Sequence, residues 1–287
     1  MQSKQNKFAV FILTHGRPDK VLTYKTLLKN KYTGPIYFIV DNLDKTVDKY
    51  IANFGKDNVI VFDKLKMLEQ SDTANNTGET RTILMARNAC FEIAKKLGFE
   101  YFLQLDDDYT SFRYRYIDKY VTKGESKNLD NAFGAMFDYY KSTNLLSLAF
   151  AQGGDFIGGA SCCMLKNYQN VARKCMNTFF CSVNRPFKFV GAMNDDVNTY
   201  VTLGSRGNLF MTVPFIGVEQ AATQQQKSGL TDMYLRFGTY CKSFTTTMMQ
   251  PSSVKVAMMG YNNPRLHHRI DWYKTTPKII REKHKKL

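Results

Sequence analysis

Tyr101-Phe102-Leu103-Gln104-Leu105-Asp106-Asp107-Asp108 is a short apolar run that ends in three carboxylates. Its length and composition read as a buried strand, with the acids where the strand meets solvent. Side chains alternate along extended backbone, so Asp106 and Asp108 are expected on one side and Asp107 on the other. Two carboxylates so placed can hold a divalent cation, which can in turn grip a diphosphate. An isolated acidic triplet is more often a solvated turn, and it is the preceding segments that argue for a site.

Phe8-Ala9-Val10-Phe11-Ile12-Leu13 reads as a fully buried strand that breaks into Thr14-His15-Gly16-Arg17-Pro18. Pro18 and Asp19 are expected to start a helix carrying Val21, Leu22, Tyr24, Leu27 and Leu28. Gly34-Pro35 turns the chain into a strand, Ile36 to Val40, ending in Asp41-Asn42. A helix bearing Val47, Ile51 and Phe54 stops at Gly55, and a third strand runs from Val59 to Phe62. After a polar stretch, a helix over about Thr80 to Leu97 delivers the chain into the acidic strand. This alternation predicts an α/β fold with a mostly parallel central sheet and helices on both faces. Ligands of such sheets sit at the carboxyl ends of the strands, where Thr14 to Arg17, Asp41 and Asp106 to Asp108 all fall.

The chain has 287 residues and 44% hydrophobic content, enough for one large core. No apolar run approaches the roughly 20 residues of a membrane span, and the polar start is no signal peptide, so a soluble, cytoplasmic protein without membrane partners is expected. The six cysteines lack C-x-x-C spacing and read as reduced core thiols. A net charge of +15 attracts polyanions, with nucleic acid the obvious partner. Phe112-Arg113-Tyr114-Arg115-Tyr116 interleaves cations with rings, a pattern by which Arg113 and Arg115 can neutralise phosphate beside a stacked base; a half-buried sheet edge gives the same pattern. The segment from Lys274 to Leu287 is dominated by Lys and Arg.

Asn194-Asp195-Asp196 precedes an expected helix, Val197 to Leu203. One of these acids can cap the helix, and either can serve as a general base on an acceptor hydroxyl. His267 and His268, beside Arg265 and Arg269 in a Pro-containing loop, can supply nitrogen to a metal or hydrogen bonds to phosphate. The polar loop from Thr223 to Leu230, with Gln225 and Lys227, suits contacts with a sugar or a base.

Together, the polar loop after the first strand, Asp41 after the second, Arg87-Asn88 on the helix before the acidic strand, and Asp106-Asp107-Asp108 resemble a GT-A glycosyltransferase. More narrowly, Thr14 to Pro18, the acidic triplet, Asn194-Asp195-Asp196, the Gln-rich loop and His267-His268 resemble the phage TET-associated glycosyltransferases. That resemblance implies one GT-A domain over 1–287, with a nucleotide-sugar half (1–108), an acceptor half (109–273) and a basic tail (274–287). It implies metal ligation by Asp106 and Asp108, with His267 as a further ligand, Mn²⁺ or Mg²⁺ as the ion, and a nucleotide-sugar donor, most simply a UDP-sugar. Donor contacts fall to Thr14, Arg17, Asp41, Arg87, Asn88, Asp107 and His268, the base to Asp196 or Asp195, and acceptor contacts to Arg113, Arg115, Gln225 and Lys227. The implied acceptor is a hydroxymethylated pyrimidine, such as 5-hydroxymethylcytosine, in bacteriophage DNA within the infected host's cytoplasm. A GT-A enzyme acting on a polysaccharide or protein, and a metal-dependent DNA-binding or nuclease protein, are the alternatives.

Overall fold

The computed structural model describes residues 7–74, 80–118, 120–156, 162, 174–221, 238, 240–260 and 264–275. Strand β1 (Phe8–Leu13) is buried along its whole length. Val10 and Ile12 enter one core, while Ala9, Phe11 and Leu13 enter another on the opposite face, so the continuous apolar run reflects a strand covered on both sides. The first core is closed by helices α1 (Leu22–Lys29) and α2 (Val47–Phe54). Strands β2 (Ile36–Asp41) and β3 (Val59–Phe62) follow β1 in parallel. Helix α3 (Lys64–Glu69) leads to α4 (Leu84–Lys96), which packs on the second face through Leu84, Met85, Ala89 and Ile93. Strand β4 (Tyr101–Asp106) then pairs in parallel with β1, Leu13 opposite Asp106.

Beyond β4 the topology changes. Strands β5 (Tyr109–Asp118) and β6 (Tyr120–Glu125), helix α5 (Leu129–Lys141), and strands β7 (Ser147–Gln152), β8 (Phe179–Ser182) and β9 (Phe210–Gln220) complete a sheet ordered β3-β2-β1-β4-β8-β7-β9-β5-β6. The expected parallel arrangement thus holds for β3 to β4. Further on, only β7 and β9 pair in parallel, and the sheet as a whole is mixed. Phe133 of α5 meets the rings of Tyr32, Phe112, Phe150 and Phe180, tying the two halves of the sheet into one core. Each fully buried ring of this kind contributes on the order of 2–3 kcal/mol.

Helix α1 begins at Leu22 rather than at Pro18. The preceding loop is held open by other partners: Gly16 N–H donates to Asp44 Oδ2 at 2.6 Å and Arg17 N–H to Tyr50 Oη at 2.8 Å. Gly16 has φ of 69°, a conformation that favours glycine. Helix α6 (Asp195–Ser205) includes both acids in its first turn. After α7 (Cys241–Met249) comes a two-stranded antiparallel sheet, β10 (Val254–Met259) and β11 (Arg265–Ile270). His267 and His268 therefore lie on a strand, not in the expected loop, paired with Ala257 and Val256. Trp272 of α8 (Trp272–Thr275) stacks on Tyr200 of α6 at 5.7 Å, fastening this sheet to the main body. Among the described residues, no helix is long and apolar enough to cross a membrane.

Candidate active site

Strand β4 stops at Asp106, and Asp107 and Asp108 form the turn into β5, so strand alternation does not extend to them. All three carboxylates line one cleft of about 1480 Å³. Thr23 of α1 fastens the turn: its hydroxyl donates to the Asp106 carbonyl at 2.5 Å, its N–H donates to the Asp107 carbonyl at 3.1 Å, and its oxygen accepts from Tyr109 N–H at 2.9 Å. Asp107, expected to face away, is buried and accepts from Thr14 Oγ1 at 2.7 Å, with Arg17 Nη1 at 3.2 Å. A carboxylate only accepts, so the Thr14 proton points to Asp107, and the Tyr50 hydroxyl, 2.8 Å away, donates to Thr14. Thr14, Arg17, Tyr50 and Asp107 form one network that shapes the loop after β1. Asp108 accepts from Gln220 Nε2, at 3.0 and 3.2 Å from its two oxygens.

Arg87 joins the two acidic segments. Its guanidinium is buried under the rings of Phe179 and Phe189, with Nη2 3.4 Å from Asp106 and Nη1 3.1 Å from Asp195. A positive φ of 53° at Asn194 lets α6 begin abruptly, so Asp195 and Asp196 sit at the positive end of its dipole. Burial pushes the Asp106 carboxyl up to about 7; Arg87 opposes the rise, and Asp108, Asp107 and Asp195 add to it. Burial likewise raises Asp195 to about 6 against the pull of Arg87. Asp107 and Asp108 are also raised by burial. The cleft thus holds more carboxylate charge than its own cations neutralise.

At the end of β2, Asp41 is buried and accepts from His15 Nδ1 at 2.7 Å, Lys64 Nζ at 3.1 Å and Leu43 N–H at 3.1 Å. Burial alone would raise its pKa, but the His15 hydrogen bond and the Lys64 charge bring it below the ordinary value. His15, Lys64 and Gln220 escaped the sequence reading. The available signals were an unassigned His beside Thr14 and a Lys directly after an apolar strand.

Across the cleft, Asn194 Nδ2 donates to the Lys242 carbonyl at 3.0 Å, which fixes which amide atom is nitrogen. The same group faces His268 Nδ1 at 3.3 Å, making that atom the acceptor and placing the His268 proton on Nε2. Burial, then His267 and Lys242, push His268 down to about 3. Its folded pKa is depressed, so its stabilising contribution is present above the free value of 6.5 and is lost as pH falls toward 3. We expect wild type to lose stability relative to His268→Gln as pH drops through this window, by up to about 1.4 kcal/mol per pH unit. Chemical denaturation of both proteins at pH 7 and pH 4.5 checks this; parallel curves would refute it.

Several expected site residues lie elsewhere. Asn88 turns from the cleft, its amide bonded to Ser71, to the Phe189 carbonyl and to Phe189 N–H, and so anchors a loop instead of touching a donor. Arg113 pairs with Glu219 at 2.8 Å, while Arg115 is buried over the Phe156 ring at 3.7 Å and Phe112 is in the core. This strand is therefore the half-buried sheet alternative, not a stacking platform. Gln225, Lys227 and positions 276–287 of the basic tail fall outside the described residues.

His267 and His268 line the same cleft as Asp106 and Asp108, but among the described residues no three His, Cys, Asp or Glu side chains gather as a metal-binding group. His267 therefore does not complete the expected three-ligand set. Its ring packs edge-on against His268 at 4.2 Å. Mg²⁺ is commonly held by one or two carboxylates plus substrate phosphates rather than by an all-protein cage. Asp106 and Asp108, with their surplus charge, fit that mode.

Residues 8–229 match the model of the TET-associated glycosyltransferase family. The chain belongs to that family. This glycosyltransferase has the GT-A type of architecture, a large mixed sheet flanked by helices. Its fold is similar to that of a mycobacterial protein of 9% identity, covering 93% of this chain and 84% of that one with a TM-score of 0.50. Glucosyl-3-phosphoglycerate synthase from Mycobacterium tuberculosis matches at 9% identity, 93% and 87% coverage and a TM-score of 0.47. A mannosyltransferase from Pyrobaculum calidifontis matches at 9% identity, 85% and 73% coverage and a TM-score of 0.47. No curated protein sequence matches the chain.

Proposed function

We propose that this glycosyltransferase moves a sugar from a nucleotide-sugar to the hydroxymethyl group of a modified pyrimidine in DNA, assisted by Mn²⁺ or Mg²⁺. The observation that carries the reading is the meeting of the acidic turn and Asp195-Asp196 across Arg87, within a cleft of about 1480 Å³. That volume exceeds the roughly 300–1,000 Å³ of ordinary small-molecule sites and leaves room for a donor and the end of an acceptor. Asp106 and Asp108 would hold the cation, which when bound offsets negative charge on the departing nucleoside diphosphate. Arg17, beside Asp107, faces the same cleft and can bind phosphate. Asp196 takes the acceptor hydroxyl proton as that oxygen bonds to the anomeric carbon and the bond to diphosphate breaks.

The family description and the +15 charge favour a DNA acceptor. A second reading, a saccharide or protein acceptor, draws on Arg113 and Arg115 being engaged within the protein. Incubation with Mn²⁺, a panel of sugar nucleotides and DNA containing 5-hydroxymethylcytosine or plain cytosine, then nucleoside mass spectrometry, separates them. Transfer should add a sugar mass only to the hydroxymethylated nucleoside. Transfer to a glycan or protein with none to DNA would favour the second reading.

A further inference from the structure

We infer that His15 and Lys64, held side by side on Asp41, read the base of the donor and select a pyrimidine imide, uracil or thymine. The inference rests on the nucleotide-sugar reading above and assigns the reading residues at one end of the same cleft. Asp41 itself is poorly placed to do it. Its Oδ2 already accepts from both His15 and Lys64, its Oδ1 accepts from Leu43 N–H, and the residue is only 4% exposed. What Asp41 presents to the cleft is its two partners.

The chemistry of those partners is complementary. The Nδ1 proton of His15 is committed to Asp41, so Nε2 of the neutral ring is an acceptor, and the side chain is 52% exposed. Lys64 is an ammonium with three hydrogens, of which Asp41 takes one, and it can only donate. Both line the cleft, near Leu13, Phe62, Ile83 and Ala86, whose apolar surfaces suit the faces of a planar ring. An acceptor beside a donor matches an imide, in which one ring N–H is flanked by carbonyls. With the N–H on His15, uracil and thymine offer Lys64 a carbonyl on either side. Guanine offers one, and cytosine fits only with its amino group on His15 and its ring nitrogen on Lys64. The pyrimidine imide is thus the base this pair satisfies in both directions, and its edge leaves neither buried partner unpaired. Asp41 becomes a positioning residue that holds the tautomer of one partner and the charge of the other.

Titration calorimetry of the whole protein with UDP, dTDP, CDP and GDP in the presence of Mg²⁺ tests this without an acceptor. UDP and dTDP should bind at least about tenfold more tightly than CDP, the loss expected when a buried hydrogen-bonding pair meets a mismatched edge. His15→Phe and Lys64→Met should each bring the UDP-to-CDP ratio toward one. His15 is half exposed, so its variant carries the test even if Lys64→Met folds poorly. CDP or GDP binding as tightly as UDP would overturn the inference. So would a ratio that survives His15→Phe but collapses in Asp41→Asn, which would make Asp41 the reader. Failure of all four diphosphates to bind would overturn the nucleotide-sugar reading as well, whereas equal binding of UDP and CDP overturns only the assignment of the base.

Discussion

Asp106→Asn and Asp108→Asn should each lower metal-dependent glycosyl transfer by roughly two to three orders of magnitude or more, the usual worth of a group that stabilises transition-state charge. The fold should survive. Asparagine nearly preserves the volume of aspartate, and the backbone of the turn is fastened by Thr23, not by these carboxylates. Stability gives a second, sharper readout. Burial raises the Asp106 carboxyl to about 7, so its charged form is disfavoured in the folded protein. A folded-state pKa above the unfolded value means that this group destabilises increasingly as pH rises from about 4 to about 7. Removing the charge should therefore leave Tm at pH 8 unchanged or higher while activity collapses, the pattern of a site that gives up stability for function. A Tm that falls with activity would assign Asp106 a structural role. Asp107→Asn supplies the contrast: Asp107 accepts from Thr14 and pairs with Arg17, so its loss should lower both quantities.

The amino-terminal half of this fold was legible because its strands are buried on both faces and each is punctuated by Gly, Pro or Asp. Phe8–Leu13 and Val59–Phe62 form as strands over the spans their apolar runs mark, and Asp41 and Asp106 fall at the strand ends as expected. The start of α1 was displaced because Pro18 offers a helix start that tertiary hydrogen bonds to Asp44 and Tyr50 override. The order β4-β8-β7-β9-β5 joins strands far apart in sequence, and no local pattern encodes which neighbour β8 will choose. The site was half visible for the same reason. Acid motifs announce themselves, but the residues that bind them together do not: Arg87 looks like any arginine on a helix until the fold brings Asp106 and Asp195 to it from 19 residues away on one side and over a hundred on the other. The Arg113 and Arg115 pattern misled because a sheet that buries one side of a strand produces the same alternation of rings and cations.

Asp196→Asn should retain nucleotide-sugar and acceptor binding yet lose about two to four orders of magnitude in transfer, the range of general-base catalysis. The two adjacent acids are distinguished by Arg87. Asp195 places Oδ2 3.1 Å from the guanidinium, whereas Asp196 spends one oxygen on Val197 N–H, at 2.7 Å, and also lines the cleft. Asp196 is thus the carboxylate with an oxygen left to face an acceptor hydroxyl. Asp195 instead neutralises a fully buried cation, and breaking such a pair typically costs about 3–5 kcal/mol. Asp195→Asn should therefore show itself first as a lower Tm, by roughly 2–4 °C per kcal/mol for a chain of this size. Asp196→Asn should melt close to wild type. Measuring kcat, KM for the sugar nucleotide and Tm for both variants separates the roles, because a base is lost in kcat with KM and Tm held, and an ion-pair partner is lost in Tm. If Asp195→Asn were inactive at wild-type Tm while Asp196→Asn kept full activity, the base would be Asp195. Full activity in both would remove a carboxylate base from the reaction and leave a retaining mechanism to be explained by other groups of the cleft.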